Sequence, residues 1–155
     1  MRFALVLAAS VLLTPVLLAD HQHVVWDDKT DFTSLKTFAI REGRAATTRP
    51  ELSNRLIFKK VADAIRAELL AKGLKESADV PDVFVGFSIG EDRPSGPSVI
   101  FNQGTLLIDV TTRESQKLVW QGVYTDEKSS PAKVADKLTS TVKKLLSAYP
   151  PKKRK

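Results

Sequence analysis

The chain has 155 residues, no cysteine, and 24 basic against 18 acidic side chains, a formal net charge of +6. That length suits one domain and leaves no room for a large multidomain enzyme. A composition of 43% hydrophobic and 27% charged residues is that of a globular chain rather than a disordered one. Without cysteine there is no disulfide, iron–sulfur cluster, thiol nucleophile, thiolate zinc site or lipid-modified N-terminal cysteine.

The positive charge is unevenly placed. Arg2 supplies one unit and the terminal run Lys152, Lys153, Arg154, Lys155 supplies four, which leaves +1 for everything between. A body so nearly neutral offers no duplex-binding face, so no nucleic acid is expected as a partner.

Arg2 is followed by an uncharged run, Phe3 to Leu18, and then by Ala19 before the polar Asp20-His21-Gln22-His23. A basic start, an apolar stretch and a small residue before polar sequence are the parts of a secretory signal. The run is shorter than the roughly 20 residues that span a bilayer, and Pro15 interrupts it. Residues 1–19 are therefore expected to act as a signal peptide cut after Ala19; an uncleaved anchor is the alternative. The expected destination is the periplasm or envelope, without lipidation.

Val24-Val25-Trp26 is β-prone, and a second strand falls at Lys36–Ile40, where Phe38 and Ile40 share a face. Gly43–Thr48 reads as a loop. Thr48 and Glu51 have capping-box spacing with Pro50 in the first turn, which predicts a helix over about 50–72 with Phe58, Val61, Ala62, Ile65 and Leu69 as its apolar stripe. Gly73 and Leu74 should end it through a left-handed cap. Alternation predicts three further strands: Asp82–Ile89, Thr105–Val110 and Lys117–Tyr124. Short connections favour antiparallel hairpins. A last helix begins at Ser130-Pro131, carries Val134, Leu138, Val142, Leu145 and Tyr149 inward, and stops at Pro150-Pro151. The expected fold is thus α+β, an antiparallel sheet with two amphipathic helices on one face in the order β-β-α-β-β-β-α. One domain over 20–149 would precede a basic tail at 150–155.

Several of these segments resemble a known family. Asp31-Phe32 with Lys36-Thr37-Phe38-Ala39, the Lys72-Gly73-Leu74 helix end with Ala78-Asp79, Gly104–Asp109, and Lys117–Gly122 occur in the order found in domain of unknown function 4136. The resemblance covers roughly residues 23–149. It implies a bacterial envelope protein with a signal sequence, often a lipoprotein, and brings no catalytic residues with it. This chain departs from the lipoprotein pattern because no cysteine follows the apolar segment.

Candidate sites are few. Trp120 is expected to pack under a helix, with Gly122 allowing close backbone approach or a bulge. Asp109, inside an apolar strand, either faces solvent on the polar side of the strand or is a buried carboxylate that pairs with a loop or a ligand, its pKa perturbed by burial. His21 and His23, with Asp20 and a new α-amino group, could meet copper, zinc or nickel, but two imidazoles on a flexible tail make a poor selective site. No histidine lies within 24–155 to build a Ser-His-Asp triad, and the pairs Asp27/Asp28, Asp79/Asp82 and Glu91/Asp92 read as turn residues. No cofactor is expected.

The tail lysines and Arg154 would each add roughly 1 kcal/mol of attraction near an anionic surface. The function that fits is a non-enzymatic envelope module that binds an envelope protein or an anionic surface component. The alternative is a periplasmic small-ligand binder or enzyme with its site near Asp109 and the 91–102 loop.

Overall fold

The structure, a computed structural model, describes residues 21–47, 49–90, 105–126 and 129–152. The proposed signal segment 1–19, the 91–102 loop and Lys153, Arg154 and Lys155 lie outside the described residues.

The chain folds as α+β, but the sheet is mixed rather than antiparallel. Its strands are β1 (His21–Trp26), β2 (Thr37–Ile40), β3 (Arg44–Ala46), β4 (Lys75–Glu76), β5 (Val83–Gly90), β6 (Thr105–Thr112) and β7 (Leu118–Thr125); the helices are α1 (Arg55–Ala71) and α2 (Pro131–Leu146). The sheet order is β1-β7-β6-β5-β2-β4, with β3 also paired to β5. Antiparallel pairing holds for β1–β7, β7–β6 and β6–β5, whereas β2 and β3 run parallel to β5 and β4 runs parallel to β2. The reason is the connection. The chain returns from β3 to β5 by way of α1, and a helical crossover of that length brings the second strand back in the direction of the first.

Two further differences are local. The segment expected as a loop after Gly43 contains β3, which continues the β5 edge where β2 leaves off. Helix α1 starts at Arg55 rather than near 50, because Asn54 is its N-cap, with its side chain accepting from the Ile57 amide at 3.0 Å. Pro50 and Glu51 instead form a turn that buries Leu52 completely. Asn54→Ala is expected to cost about 1 kcal/mol, read as a lowered thermal midpoint, because it strands that amide. The C-terminus follows the expectation: Gly73 sits at φ 87° and the Leu74 amide bonds to the Leu69 carbonyl at 3.1 Å.

Strand alternation divides the sheet into two unlike faces. Phe38, Val83, Val85, Phe87, Ile89, Leu106, Ile108, Val110, Trp120 and Tyr124 are buried in one cluster with Val61, Ile65 and Leu69 of α1 and Val134, Leu138, Val142 and Leu145 of α2. Both helices therefore cover the same face. Trp120 is fully buried as expected, its ring edge-on to Tyr149 at 5.6 Å.

Candidate functional site

The opposite face of the sheet faces neither helix. Register places its side chains in cross-strand rows. The central row is Val25 of β1, Gln121 of β7, Asp109 of β6 and Gly86 of β5. Above it lie His23, Val123, Leu107 and Ser88, with Arg44 of β3 beside Ser88. Below it lie Leu118, Thr111, Phe84 and Ala39.

Asp109 sits at the centre of this face and is half-buried. Its Oδ1 accepts from Gln121 Nε2 at 2.8 Å. On its other side Gly86 carries no side chain, and a Cβ built there would meet nothing within 4 Å. Burial pushes the Asp109 carboxyl above its ordinary pKa, opposed by the Gln121 hydrogen bond and by the charge of Arg44. A raised carboxyl pKa means the folded state holds the proton more tightly than the unfolded chain. Its ionisation therefore weakens the fold as pH rises from the unfolded value of 3.8 through the folded one. Asp109→Asn should keep the contact with Gln121 and remove that penalty. Its thermal midpoint is expected to equal or exceed the parent's at pH 7, with the difference vanishing near pH 3; a loss at pH 7 would contradict this reading.

At the lower edge Arg41 stacks over the Phe84 ring at 4.2 Å and donates from Nη2 to Gln116 Oε1 at 2.7 Å. Gln116 itself has φ 53°, an uncommon conformation for a non-glycine residue, held further by its side-chain amide donating to the Arg113 carbonyl. A hydrophobic ring, a guanidinium and a carboxylate thus share one face of the sheet.

The other sequence candidates fall elsewhere. His21 and His23 belong to strand β1 rather than to a flexible tail, because backbone pairing to Thr125 and Val123 holds them. Both are exposed, and no group of three or more metal-binding side chains occurs among the described residues. Lys152 is exposed and lines a cleft of about 310 Å³ with Trp26, Asp27, Asp28, Thr30, Phe32 and Pro151.

Two of the acidic residues read as turn formers, Asp27 and Asp82, have structural roles, while Glu91 and Asp92 lie outside the described residues. Asp27 pairs with Lys117 at 2.5 Å, which with the Lys29 amide and the Thr30 hydroxyl lowers its pKa to about 2. Asp82 accepts the Lys36 and Thr37 amides, each at 2.8 Å, tying the start of β2 to that of β5 and lowering its own pKa. Sequence reading missed this clamp, since nothing in Asp82 or Lys36 alone signals a contact between residues so far apart along the chain.

Comparison with solved structures shows the same kind of fold in proteins of low sequence identity. A PDZ domain protein from Parabacteroides distasonis superposes with a TM-score of 0.58 at 15% identity over 87% of this chain, which spans 37% of that protein's length. A PelC dodecamer from Paraburkholderia phytofirmans gives 0.50 at 14% identity, covering 83% of this chain and 96% of its own. No curated protein matches in sequence. The profile described as Domain of unknown function (DUF4136) matches residues 22–151, the strands and helices described above, and the chain belongs to that family.

Proposed function

We propose that this protein is a non-enzymatic binding module of the bacterial envelope, exported by its N-terminal segment and not lipidated. It engages its partner through the sheet face that the helices leave uncovered. One observation carries this reading: the row Val25–Gln121–Asp109–Gly86 runs across four strands of that face with a half-buried carboxylate at its centre and open space beside it. An apolar surface with a few fixed polar groups is what recognition requires. A photo-crosslinking residue at position 121 should capture an envelope component that the same residue at Asp79, exposed in the connection between β4 and β5, does not. Equal or absent capture from both positions would reject the sheet face as the binding surface.

A second reading is a small-ligand site around the same carboxylate. The raised pKa of Asp109 and the space beside Gly86 favour it. Gly86→Leu would fill that space, so loss of a low-molecular-weight ligand with unchanged protein capture would select this reading over the first.

A further inference from the structure

The near-neutrality of the folded body conceals a separation of charge between its layers. Helix α1 holds four basic and two acidic side chains and α2 holds four and one, a surplus of five positive charges. The described strands and loops hold eleven acidic against ten basic residues. The positive surplus of the described body therefore resides in the helical layer.

Its distribution within that layer is informative. On α1 the charges are largely self-satisfied, since Asp63 pairs with Lys59 and with Arg66, and Arg66 also reaches Glu76. On α2, Lys137 reaches Asp126 at 3.3 Å. Lys133 and Lys143 are exposed, and so is Lys144, whose ammonium lies over the Tyr124 ring at 5.1 Å. The other helix of the layer, α1, exposes two large apolar side chains. Leu56 is 79% exposed and Leu70 47%, and their separation of fourteen residues returns both to one side of α1. On the same side between them lie Asp63, paired with Lys59, and Lys60, whose ammonium donates to the Ala135 carbonyl of α2 at 2.8 Å, so the uncommitted ammonium groups of this layer are those of α2. Leucines set among lysines on the outer face of an amphipathic layer are the chemistry of a surface that lies on a bilayer: apolar groups enter the acyl boundary while the ammonium groups meet anionic headgroups.

We propose that the two-helix layer docks flat on a membrane containing anionic phospholipid, through Lys133, Lys143 and Lys144 of α2 with Leu56 and Leu70 of α1. This goes beyond the sheet-face reading and stands independently of it. Docking by the helices directs the Asp109 face away from the lipid.

Cosedimentation of the full chain with vesicles of phosphatidylglycerol and phosphatidylcholine tests the proposal, with pure phosphatidylcholine vesicles reporting whatever the apolar segment 3–18 contributes. Each lysine near the surface strengthens binding about five-fold, so Lys133→Gln/Lys143→Gln/Lys144→Gln should weaken the anionic component by about 100-fold at low salt. Arg44→Gln, on the opposite face, should leave it unchanged. Leu56→Trp supplies a second readout that needs no loss of function: the indole emission of this variant should shift to the blue on anionic vesicles alone. Undiminished binding of the triple variant, complete loss on removing residues 152–155 alone, or an unshifted emission from the Leu56→Trp variant would each overturn helix docking. Binding to an acidic protein but not to vesicles would do the same.

Discussion

Trp120→Ala should lower the unfolding free energy by about 3–5 kcal/mol, measured as a shift of the urea midpoint. Trp120 is the largest fully buried side chain among the described residues, and it joins the sheet to the segment just after α2 through its edge-on contact with Tyr149. Removing the indole leaves a cavity between layers that cannot close without moving a helix. The same ring explains Gly122, two residues on and on the same face. A Cβ at 122 would stand 2.6 Å from Cη2 of the Trp120 ring and 3.2 Å from Cζ2 and Cζ3, too close for a ring with nowhere to go. Gly122→Val should therefore cost about 2–3 kcal/mol by overpacking. Combined with Trp120→Leu the two losses should fall short of their sum, because the smaller side chain vacates the space the valine needs. Strict additivity would show that the glycine serves something other than the ring. The indole N–H is buried with no hydrogen-bond partner among the described residues, so Trp120→Phe should cost much less than Trp120→Ala.

Gly122, expected to allow a close backbone approach or a bulge, makes room for the Trp120 ring instead, whereas burial of Trp120 is legible in the sequence because alternation along its strand assigns faces without knowledge of any partner. The same holds for Asp109, whose separation from Leu106, Ile108 and Val110 follows from its place in the alternation. The two helix stripes are equally legible, since Val134, Leu138, Val142, Leu145 and Tyr149 are all buried. Pairing direction is not. Short turns justify the antiparallel β5–β6–β7 ladder, but β2 meets β5 only through the long crossover containing α1, and no local signal states that those strands are neighbours. β4, two residues long, is too short to carry a period at all. His21 and His23 have the polar composition of a tail, yet pairing to β7 makes them part of a strand. The segregation of charge between layers is likewise invisible in a net value, since it depends on which elements share a face.

These two surfaces fit together. In the two proposals taken together, helices on an anionic bilayer would leave the sheet face with Asp109, Arg41 and Arg44 on the aqueous side, at a fixed orientation. The arrangement places separate demands on the two layers, and substitutions on one need not disturb the other.

The glycines of the sheet provide the sharpest test of how the two faces differ. Gly43→Ala should destabilise the protein by about 2–3 kcal/mol, whereas Gly86→Ala should be neutral or stabilise it by about 0.5–1 kcal/mol. Gly43 lies between β2 and β3, at the break where the edge of β5 passes from one short strand to the next. A Cβ there would fall 2.2 Å from Cε2 and Cζ of Phe87, a ring that is buried and held edge-on against Phe58 of α1 at 6.2 Å. The ring cannot retreat without displacing the helix, so the added methyl should loosen the core at the start of the crossover. Gly86 is one residue earlier in β5 than Phe87 and points to the other side of the sheet, where nothing stands within 4 Å of the added atom. There a methyl meets only open space beside Asp109 and reduces the freedom of the unfolded strand. Thermal melts should show Gly43→Ala lowered and Gly86→Ala unchanged or raised. If Gly43→Ala melted with the parent protein, the break between β2 and β3 would have to be more pliable than its contact with Phe87 allows. If Gly86→Ala melted several degrees lower, the space beside Asp109 would be needed by the fold rather than kept for a partner.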